Sequence, residues 1–114
     1  MYSVSVEFRP PSYFALAALI DGPLHGYAIV RRASELSGGA VSLSTGTLYA
    51  LLERATGEGL VVAGEPYTSG GRSRRDYVLT ASGRDALASE AQSLQRASRT
   101  VRRLLAARTG GAAA

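Results

Sequence analysis

The chain has no cysteine and no tryptophan, a single histidine (His25), and no lysine: all 13 of its basic residues are arginine. Without cysteine, disulfides and cysteine-based zinc sites are excluded. With no secretory signal pattern either, the cytoplasm is the expected compartment. One histidine and scattered carboxylates do not make the three or four ligands of a metal site, so no metal or cofactor is expected. A nucleophilic mechanism needs a serine or cysteine beside a histidine that an acid orients. His25 stands instead at a turn, before an apolar-periodic stretch, and reads as a helix-start residue. No catalytic residue is therefore assigned and the chain is not expected to be an enzyme. The Gly-Gly pairs at 38–39 and 70–71 lack the spacing and lysine of a phosphate loop, and read as punctuation. The longest apolar run, residues 13–20, is too short to cross a bilayer, so no membrane partner is expected.

What remains is a chain of 114 residues, 46% hydrophobic and 19% charged, which is the composition of one globular domain. Its net charge of +4 is unevenly spread. Residues 1–65 hold four arginines against six acids, whereas residues 66–114 hold nine arginines against three acids. A basic half on a small domain suits a polyanion, most simply nucleic acid.

The chain is organised around residues 41–60. Ser44 is a good N-cap, and Leu43 and Leu48 have the spacing of a hydrophobic staple. Leu48, Leu51, Leu52 and Ala55 recur at i, i+3, i+4, i+7 and predict one buried stripe. Gly46, Tyr49, Ala50, Glu53 and Arg54 take the other face, where the small residues let another body come close. Gly57 or Gly59 ends this helix. Upstream, Val4, Val6 and Phe8 alternate in a short strand or arm that Pro10-Pro11 stops. Ser12 is read as the cap of a first helix over 13–20, apolar nearly all round. After an Asp21-Gly22-Pro23 turn, a second helix over 26–36 buries Ile29, Ala33 and Leu36, with Arg31 and Arg32 outward. Gly38-Gly39 closes it, so the second and third helices form a helix-turn-helix.

Residues 60–63 and 76–80 read as two strands around an Arg-rich loop at 67–75, too long for a tight two-residue turn. Helix-turn-helix followed by a hairpin is a winged helix. Thr80 then caps a long helix over 81–108. Its apolar face (Leu87, Ala91, Leu94, Val101 and Leu105) is longer than so small a domain can cover. A second copy of the helix is the expected partner, with Tyr13 and Phe14 of the first helix in the same interface. The expected architecture is mainly α with a small two-stranded antiparallel β wing. It divides into an arm (1–11), a winged helix-turn-helix domain (12–80), a dimerisation helix (81–108) and a disordered tail (109–114).

Ser42, Ser44, Thr45, Thr47 and Tyr49 crowd hydroxyls at the N-terminus of the central helix, where phosphates and base edges are reached. Arg72, Arg74 and Arg75 stand at the hairpin loop, suited to phosphates or a narrow minor groove. Arg54 is placed to flank the duplex. Glu53 must be solvated, paired, or accepting from a cytosine amino group.

LIDGPLHGYAIV, TGTLYALLERATGEGLV, GGRSRRDYVLT and ASGRDAL, in that order, resemble the PadR-like transcriptional regulators. Ala50 stands where that family often has proline. The resemblance implies a homodimeric winged-helix repressor on a roughly palindromic operator. It adds Tyr27 to the DNA-binding positions alongside Thr45, Thr47, Tyr49 and the wing arginines. It also implies planar aromatic effectors, which some members stack against a tryptophan of the last helix, a residue absent here. The alternative is a winged helix that docks another protein and touches no DNA, for which three wing arginines have no use.

Overall fold

The computed structural model describes residues 9–113, with side chains to Arg108. The alternation of Val4, Val6 and Phe8 lies outside the described residues. In chain order the elements are α1 (Pro10–Ala17), β1 (Leu24–His25), α2 (Gly26–Leu36), α3 (Thr45–Gly57), β2 (Val61–Ala63), β3 (Tyr67–Ser69), β4 (Arg72–Arg74), β5 (Asp76–Leu79) and α4 (Ala81–Ala113). This is a winged helix-turn-helix with a long C-terminal helix.

The core forms where the three short helices and the sheet meet. Leu16, Leu19, Ile29, Leu48, Leu51, Leu52 and Val61 are all but fully buried. Each removes a large aliphatic side chain from water, worth roughly 1.5–3 kcal/mol apiece before the entropy of ordering it. The stripe of α3 lies as its spacing predicts, and Leu43 and Leu48 are both buried at the staple positions. Ser44 caps α3, its Oγ accepting from Thr47 N at 3.2 Å. Leu36, expected in the stripe of α2, is 38% exposed because the last turn of that helix runs past the core.

Three local features differ from the sequence reading. Helix α1 starts at Pro10 rather than after Ser12, with Arg9 as N-cap and Ser12 buried inside the helix. The two prolines occupy the first turn, where their missing N–H groups have no intrahelical partner to lose and their φ already suits a helix. The helix also ends early, at Ala17, and Leu19 and Ile20 close it with tight i→i−3 bonds to Leu16 and Ala17. At the other end of the chain the backbone of α4 continues to Ala113, so the stretch expected as a disordered tail from Thr109 is helical. No proline interrupts it, and alanine offsets part of the cost of Gly110 and Gly111.

The wing is the third difference. β5 is the centre of a three-stranded antiparallel sheet, β1-β5-β2, in which Leu24 faces Tyr77 and Val61 faces Leu79. The two-residue β1 has too few residues to show a period. Residues 67–75 are not a long loop but a second ribbon, β3 paired with β4 across Gly70-Gly71. Both glycines have positive φ, 60° and 77°. That is what a tight two-residue turn matching the twist of its strands requires.

Among the described residues, helix α4 is anchored at its start. Thr80 Oγ1 accepts from Gly83 N at 3.0 Å and donates to the Gly59 carbonyl at 2.6 Å. Arg84 Nη2 reaches the Ile20 carbonyl at 2.7 Å. Leu87 is buried at 6% exposure and packs in the chain's own core. Beyond it, Leu94, Val101 and Leu105 are 48%, 53% and 62% exposed.

Candidate nucleic-acid interface

Helix α3 presents Gly46, Ala50, Glu53 and Gly57 at i, i+4, i+7, i+11 opposite its buried stripe. Apart from the helix's own backbone and the flanking residues, no atom among the described residues lies within 4 Å of where a β-carbon at Gly46 would sit, so the helix is bare there. At the N-terminus Ser42, Ser44, Thr45 and Thr47 are all exposed. Two of these hydroxyls are already engaged: Ser44 Oγ donates to Thr47 Oγ1 at 3.0 Å. Thr47 keeps its own proton to donate outward.

Tyr49 plays a part that its spacing does not reveal. Its ring lies against α2, and a β-carbon on Gly26 would collide with the Tyr49 hydroxyl and crowd Leu48. Gly26 is therefore the residue that lets α2 and α3 approach, and Tyr49, still 47% exposed, props the angle between them. The signal in the sequence is the glycine directly after His25. Tyr27, one residue on, is exposed and carries the Arg31 guanidinium 5.9 Å from its ring centroid.

The wing arginines separate by position. Arg72 flanks the Gly70-Gly71 turn and is exposed. Arg75 lies between β4 and β5, at the wing root. There it lines a cleft of 450 Å³ against α3 with Tyr49, Leu52, Glu53, Thr56 and Tyr77. Arg74 is not at a mobile tip as expected. It is half-buried, its Nη1 lying 3.1 Å and 3.2 Å from the two ring nitrogens of His25. His25 Nδ1 also accepts from Ala28 N at 3.3 Å and so caps α2. One imidazole thus ties the helix-turn-helix to the wing.

Next to it, the Tyr67 hydroxyl donates to Asp76 Oδ1 at 2.7 Å. That bond, with a smaller contribution from desolvation, raises the phenol's pKa above its ordinary value. Burial raises the pKa of Tyr77, Tyr49 adds to the rise, and Arg75 opposes it. Among the described residues no ion pair or side-chain hydrogen bond engages the guanidinium groups of Arg54, Arg72 or Arg75. Arg54, at the flank of α3, and Arg75, in the cleft against it, are guanidinium groups without a paired acid along that helix, and Arg72 adds another at the wing turn.

The tie at His25 gives a separable expectation. Replacing His25 with alanine removes the cap and the Arg74 contact together, at a cost of about 0.5–2 kcal/mol for the cap alone. Asparagine should restore the cap but is too short to hold Arg74. His25→Asn is expected to melt near the wild type, with faster amide exchange in β4 than in α2. Equal protection of β4 in both proteins would show that the contact does not hold the wing.

The model of the transcriptional regulator PadR-like family matches residues 15–89, from α1 into α4. The chain belongs to this family. The family is one of transcriptional regulators. Bacillus subtilis PadR, solved in complex with operator DNA, is 29% identical with a TM-score of 0.62, over 71% of this chain and 47% of that one. A PadR family regulator from Clostridium difficile R20291 superimposes with a TM-score of 0.69 at 23% identity, over 85% of this chain and 99% of that one, and shows the shared fold. Among curated proteins, an uncharacterized 37.1 kDa protein in transposon TN4556 of Streptomyces fradiae is 43% identical over 83 residues. That stretch is 73% of this chain and 22% of that relative, so the chain spans about a fifth of its length. No helix among the described residues of this PadR-like chain is long and apolar enough to cross a membrane.

Proposed function

We propose that this PadR-like chain is a repressor that binds a two-fold symmetric operator as a homodimer and is released by a small planar aromatic effector. The observation that carries DNA recognition is the bare outward face of α3, flanked by Arg54, Arg72 and Arg75 with no acidic partner. A protein-docking surface has no comparable need for three unpaired guanidinium groups. Ser42, Thr45 and Thr47 stand where α3 enters the major groove, Tyr27 and Arg31 beside them on α2. A homologue of known structure binds operator DNA, which supports the same use here.

The exposed stripe Leu94, Val101 and Leu105 supports the dimer, continued at Ala91 and at Tyr13 and Phe14 of α1. Where α1 meets α4 there is an apolar groove of 240 Å³, lined by Tyr13, Ala17, Ile20, Arg84, Leu87 and Ala91, among others. It is the candidate effector site, and a ring bound there would shift the spacing of the two α3 helices.

Selection of bound sequences from a random duplex pool should yield a palindrome, and placing that palindrome over a reporter promoter should lower expression. A pool that enriches nothing would remove the DNA reading. A panel of planar aromatics should contain members that weaken operator binding. Sedimentation at micromolar concentration should give a dimer, and charged residues at 94 and 101 should give monomer or insoluble protein. A wild-type protein that is a stable monomer would exclude the assembly.

A further inference from the structure

Glu53 is the only acid of α3, and it projects from the middle of that helix's outward face into the cleft it shares with Arg75. Its carboxylate is exposed and makes no ion pair or hydrogen bond among the described residues, although Arg54 and Arg75 are neighbours. If α3 is seated on DNA, this is the worst place for an uncommitted negative charge. A duplex on α3 runs phosphates along both rims of the helix, and each repels the carboxylate. Gly46 and Ala50, about two turns and one turn earlier on the same face, bring the helix close to the groove floor and Glu53 with it. The major-groove floor offers an anion only two donors, the exocyclic amino groups of cytosine and adenine. The adenine amino group lies between two acceptors, its own N7 and the thymine O4. The cytosine amino group has an acceptor on one side only, the guanine O6, and a C–H on the other.

The geometry points to Glu53 as a specificity determinant that accepts a hydrogen bond from the N4 amino group of a cytosine in each half-site, a role that rests on the DNA-binding function proposed above. Where the cytosine is present the charge is satisfied. Elsewhere it remains as repulsion against the backbone. One carboxylate then raises discrimination mostly by weakening binding to the wrong sequence. Arg75, in the same cleft, is free to hold the adjacent phosphate, because no ion pair with Glu53 has to be broken first.

The test is selection from a random duplex pool with the wild type, Glu53→Gln and Glu53→Ala, each checked for an unchanged melting temperature. The wild type should enrich one cytosine at a fixed position in each half-site. Glutamine prefers the paired N6 and N7 of adenine, so Glu53→Gln should move that position to adenine and leave the others intact. Glu53→Ala should lose the preference there. Its ratio of operator to scrambled affinity should fall about tenfold, within the range for one mismatched base pair. Superimposable selected sequences from all three proteins would overturn the assignment. So would a rise in affinity by the same factor on every sequence, since that is repulsion without readout. A wild type that enriches no sequence at all would instead remove the DNA-binding reading itself.

Discussion

A Gly83→Ala protein is expected to melt about 10–20 °C below the wild type. The added methyl would fall on the Leu60 carbonyl oxygen and press on Leu79 Cδ1. The carbonyl is backbone, and it already accepts from Thr80 N at 3.0 Å. It cannot move aside as a flexible side chain would. Overpacking of this kind costs typically 1–3 kcal/mol. Displacing Thr80 weakens the N-cap of α4 by about another 1 kcal/mol. The helix-propensity gain of alanine over glycine, under about 1 kcal/mol, offsets part of this. A net loss of about 2–3 kcal/mol corresponds to the stated shift at roughly 4–8 °C per kcal/mol for a domain of this size. Gly46→Ala is the control. Nothing surrounds that position, so the substitution should leave stability equal or slightly raised while weakening DNA binding. Calorimetry of the two proteins decides it: a Gly83→Ala midpoint within a few degrees of the wild type would mean that α4 does not dock on Leu60 so closely.

The double variant Arg72→Ala with Arg75→Ala should lose more affinity for DNA than any other surface change short of the recognition helix. Both side chains are free of internal partners, so the folded state should barely register their removal. Each guanidinium that leaves a phosphate lowers the slope of log affinity against log salt by about 0.9. The loss should be equal on operator and scrambled duplexes, because phosphates carry no sequence. Arg74→Ala belongs to a different class. Its guanidinium is committed to His25, so it should loosen the wing and change the slope less. Thr47→Ala should chiefly reduce discrimination. A salt titration of all three on both duplexes separates these outcomes. An unchanged slope for the double variant would mean that the wing does not touch the backbone.

Much of the architecture is legible because α3 announces itself several times over. Cap, staple, stripe and terminal glycine all point to the same helix, and agreement between levels is what makes a sequence readable. The features that escape are those that depend on two distant segments. β1 is two residues long, and only its pairing with β5 makes it a strand. The ribbon at 67–74 reads as a polar loop because neither face is buried and no alternation of apolar residues marks it. The start of α1 escapes for a local reason: Ser12 is a good cap in isolation, and two prolines override it. In the interface, exposure of the hydroxyls and of Arg72 follows from local pattern. The commitment of Arg74 to His25 spans 49 residues of sequence and leaves no local trace. Tyr49 carries two signals, an outward helical position and a ring that needs a surface. The second is met by Gly26, across the helix-turn-helix.

The attachment of α4 has a mechanical consequence. The helix is gripped within its first two turns, at Gly83, Arg84 and Leu87, and its 33 residues extend about 50 Å at 1.5 Å per residue. It is a long lever on a short fulcrum. A rotation of about 5° at the grip displaces the far end by about 4 Å, a little less than one turn of helix. Conversely, a body holding the distal turns can reorient the winged domain, α3 included, with little force, because the arm is several times longer than the seat it pivots on. The molecule measures 67 × 34 × 23 Å, and an arm of about 50 Å is long on that scale.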